Sequence, residues 1–253
     1  MSGVSQIREA IGRGEVYQVN LCRVLSAPLP RDADVAALGA RLARGNPAPY
    51  AAVVRIPAHS IEVASASPER FLARNGDRVE SRPIKGTARH LEGFLPKDRA
   101  ENVMIVDLVR NDLGRVCETG SVKVDALCAV EAHPGLHHLV STVSGRLQPG
   151  AGWAQLIAAT FPPGSVTGAP KGAALQAIER LEPVERGPYC GAVGWVDADR
   201  RRGDLNVAIR TFWASDGRLH FGTGGGITWG STPEGEWAET ELKAHRLLSL
   251  ASS

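Results

Sequence analysis

A lysine held in a tight turn of small residues is a candidate nucleophile. The stretch Ser81–Thr87 reads Ser-Arg-Pro-Ile-Lys-Gly-Thr and follows a strand-like run from Val79 to Arg82. Lys85 there is a surface charge, an anion clamp or a nucleophile, and the last role requires burial or a neighbouring cation to lower its pKa. Asp98 and Glu101 stand three apart near a helix start and so share a face, a spacing that equally suits the helix dipole. Glu236, Glu239 and Lys243 share one face of a final helix, where Glu239–Lys243 doubles as an ordinary i, i+4 pair. Arg210 lies among small residues, where its guanidinium fork matches a carboxylate, or where it is an edge-strand charge. Gly224-Gly225-Gly226 leaves backbone N–H groups unshielded for a ligand. His137-His138 has no acid or thiol at a zinc-like spacing, which favours hydrogen-bonded or packed imidazoles. The loop Phe161–Lys171 has a phosphate loop's glycine and lysine but lacks the Gly-Lys-Ser/Thr ending, so nucleotide binding is rejected.

The elements that must position these groups follow from periodicity. Residues 5–12 read as a short helix closed by Gly12 and Gly14. Val16–Leu25 reads as a strand with Tyr17, Val19 and Leu21 on one face and Gln18 and Asn20 on the other. Asp32–Arg44 reads as a helix stopped by Gly45-Asn46-Pro47. Ala51–Ile56 and Ile61–Ala66 read as strands that continue as a meander through the Asn75-Gly76 turn into the Lys85 segment. Lys97–Val116 reads as a long helix with Val103, Val106, Val109 and Leu113 as its apolar stripe. Residues 120–147 return to strands, 152–160 are helical, and Gly172–Leu181 is a helix started by Pro170. Cys190–Val196 and Leu205–Trp213 read as strands, the second placing Asn206, Ala208 and Arg210 on one face. Leu219–Thr223 is a strand, and the last helix follows Ser231-Thr232-Pro233, a cap and proline start.

Composition narrows the class. The chain has 253 residues, 43% hydrophobic and 22% charged, enough for one large domain or two small ones. A net charge of +2 leaves no electrostatic footprint for nucleic acid. No apolar run is long enough to span a membrane and the start lacks a signal-peptide pattern. The four cysteines (Cys22, Cys117, Cys128 and Cys190) form no Cys-x-x-Cys pair, as expected of reduced thiols in a cytoplasmic protein.

A series of ordered blocks then carries a resemblance. Val16-Tyr17-Gln18-Val19-Asn20-Leu21, Ser67-Pro68-Glu69-Arg70-Phe71, Arg82-Pro83-Ile84-Lys85-Gly86-Thr87 and Asp98-Arg99-Ala100-Glu101-Asn102 are followed by Val106–Asp112, His137–Ser141, Thr167–Lys171, Ile209-Arg210 and the terminal Glu236, Glu239, Lys243 set. Together they resemble the chorismate-utilising enzymes, in particular the aminodeoxychorismate synthase component I branch. The resemblance implies an α+β fold of two antiparallel sheets packed orthogonally with outer helices, in layers α/β/β/α. It implies one catalytic domain over residues 1–253, with the family's usual N-terminal half absent.

The resemblance also implies roles. A magnesium ion is expected on Glu101 and Glu239, with Asp98 and Glu236 as water-mediated partners, and such a hard cation suits an all-oxygen set. Arg210, Lys243, Tyr189 and the backbone of Gly225 and Gly226 match positions that bind the carboxylates of chorismate. Thr167 and His138 match positions lining the same pocket. Glu69 matches the general acid for the departing hydroxyl, a task that needs a raised pKa. Water-adding members carry a lysine base where Gln18 stands, so water addition is disfavoured. Anthranilate synthases carry Pro-Ile-Ala-Gly-Thr where this chain has Pro-Ile-Lys-Gly-Thr. Lys85 matches a lysine that attacks ring carbon 2 before ammonia attacks carbon 4. The implied product is 4-amino-4-deoxychorismate, precursor of 4-aminobenzoate for folate synthesis. No glutaminase-like cysteine is present, so ammonia comes free or from a glutamine amidotransferase subunit. A chain lacking the family's first half would leave sheet edges unpaired, which points to a homodimer or a partner protein. Rival readings are anthranilate synthase component I and a catalytically impaired chorismate-binding protein.

Overall fold

The computed structural model describes residues 2–88, 90–133 and 136–252. In chain order the elements are α1 (Ser2–Gly12), β1 (Gln18–Pro28), α2 (Val35–Gly45), β2 (Tyr50–Ile56), β3 (Ile61–Ser67), β4 (Arg70–Asn75), β5 (Arg78–Arg82) and β6 (Ile84–Ala88). They continue as α3 (Pro96–Gly114), β7 (Lys123–His133), β8 (Leu136–Arg146), α4 (Trp153–Thr160), β9 (Gly168–Ala169) and α5 (Lys171–Leu181). The last are β10 (Ala192–Asp197), β11 (Arg202–Val207), β12 (Thr211–Ser215), β13 (Arg218–Ile227) and α6 (Pro233–Ala251). The fold is α+β, with two antiparallel sheets, and the chain divides into two compact units.

The first unit gathers residues 1–68, 166–193 and 207–253. Its sheet has six strands in the order β2-β3-β12-β13-β1-β9. Val4, Ile7 and Ala10 of α1 pack with Val19, Ile227 and the α5 residues Ala174, Ala177 and Ile178. A second cluster joins Val35, Leu38 and Leu42, one turn apart along α2, to Phe212, Phe221 and the α6 residues Ala244 and Leu247. Asp34, not Asp32, opens α2: its carboxylate accepts the Ala36 N–H at 2.8 Å, so the helix begins three residues later than the sequence suggests. The Gly-Gly-Gly run belongs to β13, with Gly225 and Gly226 opposite Leu21 and Asn20 of β1.

The second unit holds residues 69–165 and 194–206. Its seven-stranded sheet is centred on β8, which takes β5 and β6 on one side and β7 on the other. Pro83, which has no N–H, separates β5 from β6, and its carbonyl accepts the Ser141 N–H at 3.1 Å. Helix α3 buries Ile105, Val106, Val109 and Leu113, whereas Val103 is 41% exposed. Val103 was read as part of the stripe, but Ile105 takes its place. Buried Asn102 ties α3 down, donating to the Leu139 carbonyl at 2.9 Å and accepting from Ser141 Oγ at 2.5 Å.

One expected strand is two. Leu205–Trp213 breaks between β11 and β12, and Arg210 takes φ +52°. The Arg210 carbonyl there accepts the Ala66 N–H at 3.0 Å. The alternating sequence reads as one strand, and a tertiary bond interrupts it.

The Tyr189 ring lies against bare backbone at Gly222. A Cβ there would sit 2.1–2.5 Å from three ring carbons. Gly222→Ala should therefore cost about 1–3 kcal/mol of stability, seen as a lower urea midpoint at unchanged slope.

Candidate active site

The second unit carries an acid and an amine. Glu69 follows Pro68 at the entry to β4 and is 4% exposed. Burial raises its carboxyl pKa to about 7, against the opposing pull of the Ser165 hydroxyl, the Lys85 charge and the Ile84 N–H. The next residue anchors the backbone: Arg70 holds Asp204 with Nε and Nη2 at 3.1 and 2.8 Å and Glu80 at 2.9 Å. Phe71 packs edge-on against Phe161 with ring centroids 6.2 Å apart.

Lys85 is half-buried on β6, opposite Leu139 of β8, immediately before a bulge. The bulge is Gly86 at φ +80°, where a Cβ would meet Asp98 Cβ at 2.9 Å. Only glycine meets both demands, so the Lys85 segment and the start of α3 fix each other. Asp98 Oδ2 accepts the Leu95 N–H at 2.8 Å, the capping role its position allows. Glu101 lies one turn on, half-buried. His138 is 1% exposed on β8, in register with Thr87 and Glu131. The structure thus brings Glu69 and Lys85 together, and the Lys85 segment against Asp98.

The first unit carries a separate polar set. Gln18 and Asn20, read as the polar face of β1, are 0% and 6% exposed, while Tyr17 is exposed. Neither amide atom of Gln18 has a hydrogen-bond partner among the described residues. Buried amides are satisfied as a rule, so this one marks a place for a small polar ligand group. Thr167 is 1% exposed, and its carbonyl accepts the Asn20 N–H at 2.7 Å. Tyr189 is 5% exposed, and burial lifts its phenol pKa well above the usual value. Burial lowers the Arg210 pKa, and among the described residues no carboxylate opposes that loss. A half-buried cation with no anion beside it among the described residues suits an incoming carboxylate.

Helix α6 supplies the rest. Thr232 caps it, accepting the Gly235 N–H at 3.2 Å, and Pro233 begins it. Glu236 accepts from Ser231 Oγ at 2.6 Å and lies against Gly225, where a Cβ would meet its Oε2 at 2.7 Å. Glu239 pairs with Lys243 at 2.6 Å, and Lys243 donates to the Gly224 carbonyl at 3.0 Å. Among the described residues no three histidine, cysteine or acid side chains gather as a ready metal cluster. Asp98 and Glu101 in the second unit, and Glu236 and Glu239 in the first, each offer carboxylate oxygen, the kind of donor a hard divalent ion takes.

Two groups escaped the sequence. Arg186 donates to the Asn20 and Val166 carbonyls, each at 2.7 Å, and to Glu182 at 2.7 and 2.6 Å. Burial works against its charge and Glu182 more than restores it, so its pKa is raised. Its Glu-x-x-x-Arg spacing reads as an ordinary helical pair, which hides the role. Ser165, 7% exposed, sits in a turn-rich loop where a serine carries no signal. All four cysteines are free and buried.

Residues 1–249 match the chorismate binding enzyme family. The chain belongs to that family. Aminodeoxychorismate synthase component 1 of Salmonella typhimurium is 41% identical over 96% of this chain and 55% of its own length. Anthranilate synthase component 1 1 of Haloarcula marismortui is 40% identical over 97% of this chain and 52% of its own length. The crystal structure of anthranilate synthase component I from Streptococcus pneumoniae superposes with a TM-score of 0.87 at 32% identity, covering 97% of this chain and 56% of that one. This member of the family therefore spans little more than half the length of the curated relatives it matches. Among its described residues no helix is long and apolar enough to cross a membrane.

The buried acid has a stability signature. Its folded pKa of about 7 lies above the usual 4.5, so its contribution is full below pH 4.5 and is lost as pH rises through 7. At pH 8 the loss approaches about 3 kcal/mol, using 1.36 kcal/mol per unit. Glu69→Gln should therefore unfold at a higher temperature than the parent at pH 8, with the difference vanishing near pH 4.5. Thermal melts across that range measure it.

Proposed function

We propose that the chain is the chorismate-converting component of an aminodeoxychorismate synthase. The observation that carries this reading is Lys85 acting on the buried acid Glu69 within one unit. The relatives named for anthranilate synthase leave a second reading, 2-amination of chorismate, and Lys85 argues against it. An amine at this position lets a covalent route split one hard displacement into two easier steps.

The steps balance as follows. The neutral Lys85 amine attacks ring carbon 2, the ring double bonds shift, and the carbon–oxygen bond at carbon 4 breaks. The proton of Glu69 goes to the departing oxygen, which leaves as water, and Glu69 is left as carboxylate. Ammonia then attacks carbon 4, the double bonds shift back, and the bond from carbon 2 to the lysine nitrogen breaks. The proton lost by the new ammonium returns to Glu69. The products are 4-amino-4-deoxychorismate and water.

The remaining residues bind and orient. Arg210 and Lys243, with Tyr189 and the backbone of Gly225 and Gly226, take the substrate carboxylates. Gln18, Thr167 and His138 contribute polar contacts. Glu101 and Glu239 would hold magnesium, with Asp98 and Glu236 through water. That ion supplies positive charge to the ring carboxylate. Ammonia would come from a cytoplasmic glutamine amidotransferase subunit, in line with the component naming of the relatives.

Incubation with chorismate, magnesium and ammonium at mildly alkaline pH, with mass-resolved product analysis, tests the reading. Aminodeoxychorismate should form and should be lost in Lys85→Ala. Anthranilate as product would favour the second reading, and no turnover by a folded chain would point to a need for the family's N-terminal half or to a binding-only role. Arg210→Gln should raise the KM for chorismate roughly 10- to 100-fold, the loss of a charged hydrogen-bond pair, and Arg210→Lys should recover part of it.

A further inference from the structure

Ser165 poses a physical puzzle. Its side chain is more than nine-tenths buried, and its hydroxyl completes no hydrogen bond among the described residues. An alanine would fill the same space without stranding a polar group. Native proteins keep such orphans seldom, and where they do the group has a use. The surroundings fix its place firmly. Gly164 is packed so closely on α3 that a Cβ there would meet Leu108 Cδ2 at 2.6 Å. Three residues before that glycine, Phe161 lies edge-on against Phe71, two residues past Glu69. The loop is thereby pinned against the strand that carries the acid. The hydroxyl faces the Glu69 carboxyl, close enough to favour its ionised form yet short of full hydrogen-bond geometry.

We propose that Ser165 is a positioning residue for the acid: its O–H donates to the Glu69 carboxylate that appears when the proton leaves for the departing oxygen. The inference rests on the reading of Glu69 as general acid and deepens it. In the protonated form that starts the reaction the carboxyl is neutral, and the Ser165 hydroxyl makes no full hydrogen bond among the described residues. As the carbon–oxygen bond breaks, the proton moves from Glu69 to the leaving oxygen, water departs, and negative charge develops on a buried carboxylate. A donor already aimed at that charge stabilises the transition state more than the ground state, which raises the rate without tightening substrate binding. Hydrogen bonds of this kind are often long in the free enzyme and shorten in the reacting complex.

Groups that face the Glu69 carboxyl among the described residues include the Ser165 hydroxyl, the Lys85 amine and the Ile84 N–H. Ser165→Ala leaves the other two in place. Because the hydroxyl favours the ionised acid, its removal raises the acid's pKa. The high-pH limb of the kcat profile, where the acid is lost by ionisation, should move to higher pH while the plateau falls.

The test compares the parent, Ser165→Ala, Ser165→Thr and Glu69→Gln with chorismate, magnesium and ammonium. Ser165→Ala should lower kcat roughly 10- to 100-fold, as expected for a lost bond to a charged group, with KM for chorismate within about twofold. Its melting temperature should be equal to or above the parent's, because an unsatisfied buried hydroxyl is removed. Ser165→Thr, which restores a hydroxyl, should recover most of the rate. A Ser165→Ala protein that melts lower and keeps the parental pH profile would assign the serine a structural role and overturn the proposal. So would unchanged kcat. A Glu69→Gln variant as active as the parent would remove the acid itself, and the proposal with it; that outcome is distinct from a Ser165-specific failure.

Discussion

A carboxyl group kept out of water is costly, and much of the second unit is arranged around keeping Glu69 there. The acid sits where β4 begins, and its neighbour Arg70 is forked onto Asp204 and braced by Glu80. These charged bonds lie at most one-third exposed, so they restrain the strand more than they stabilise it. Burial lifts the carboxyl pKa to about 7, so a substantial share of the group keeps its proton at neutral pH, the state the proposed general acid would start from. The same burial would make its carboxylate unwelcome once the proton has gone. A hydroxyl, an amine and a backbone N–H that face it all favour the ionised form, so each one offsets part of that cost when the carboxyl ionises.

The first unit applies the same trade to a positive charge. Arg210 gives up hydration without a carboxylate in return, and the Gln18 amide is buried without partners. Such unmet demand persists only where the surrounding backbone is over-determined. Here Arg186 supplies that restraint: one guanidinium holds the Asn20 and Val166 carbonyls, and its partner Glu182 accepts the Cys22 N–H at 2.8 Å. Two segments that carry Gln18 and Thr167 are thereby fixed by a nearly buried ion pair.

What the sequence made legible follows from what is periodic. Helices α3 and α6 repeat every three to four residues over five turns, and β1 alternates, so their existence and the shared faces of Asp98 with Glu101 and Glu236 with Glu239 could be read directly. The blocks of the family fixed which residues mattered. Environment was not legible, because burial is a property of distant contacts. Nothing local to Glu69 announces that it is dry, and nothing in Ile209-Arg210 announces a backbone turned to φ +52° by a bond to Ala66. Helical spacing places Val103 on the apolar stripe, yet Val103 is 41% exposed and Ile105 is buried. Asp32 was near the α2 start, but capping needs a carboxylate within reach of the second N–H, and only Asp34 has it.

Overall likeness does not separate the two aminating reactions here, since relatives named for each stand at 41% and 40% identity. Physical reasoning says why this must be so. Grasping two carboxylates, supplying a proton and offering oxygen donors to a cation are requirements common to both chemistries, and they employ most of the conserved-looking frame. The requirement that differs is whether an amine stands at ring carbon 2 before ammonia arrives. In the proposed mechanism that amine is Lys85 of β6, held at a bulge by Gly86 against Asp98. An alanine there would fit the same bulge and the same strand register, so the frame is indifferent to the exchange. Specificity of this sort leaves almost no trace in identity or in backbone shape, and it has to be read at residue 85.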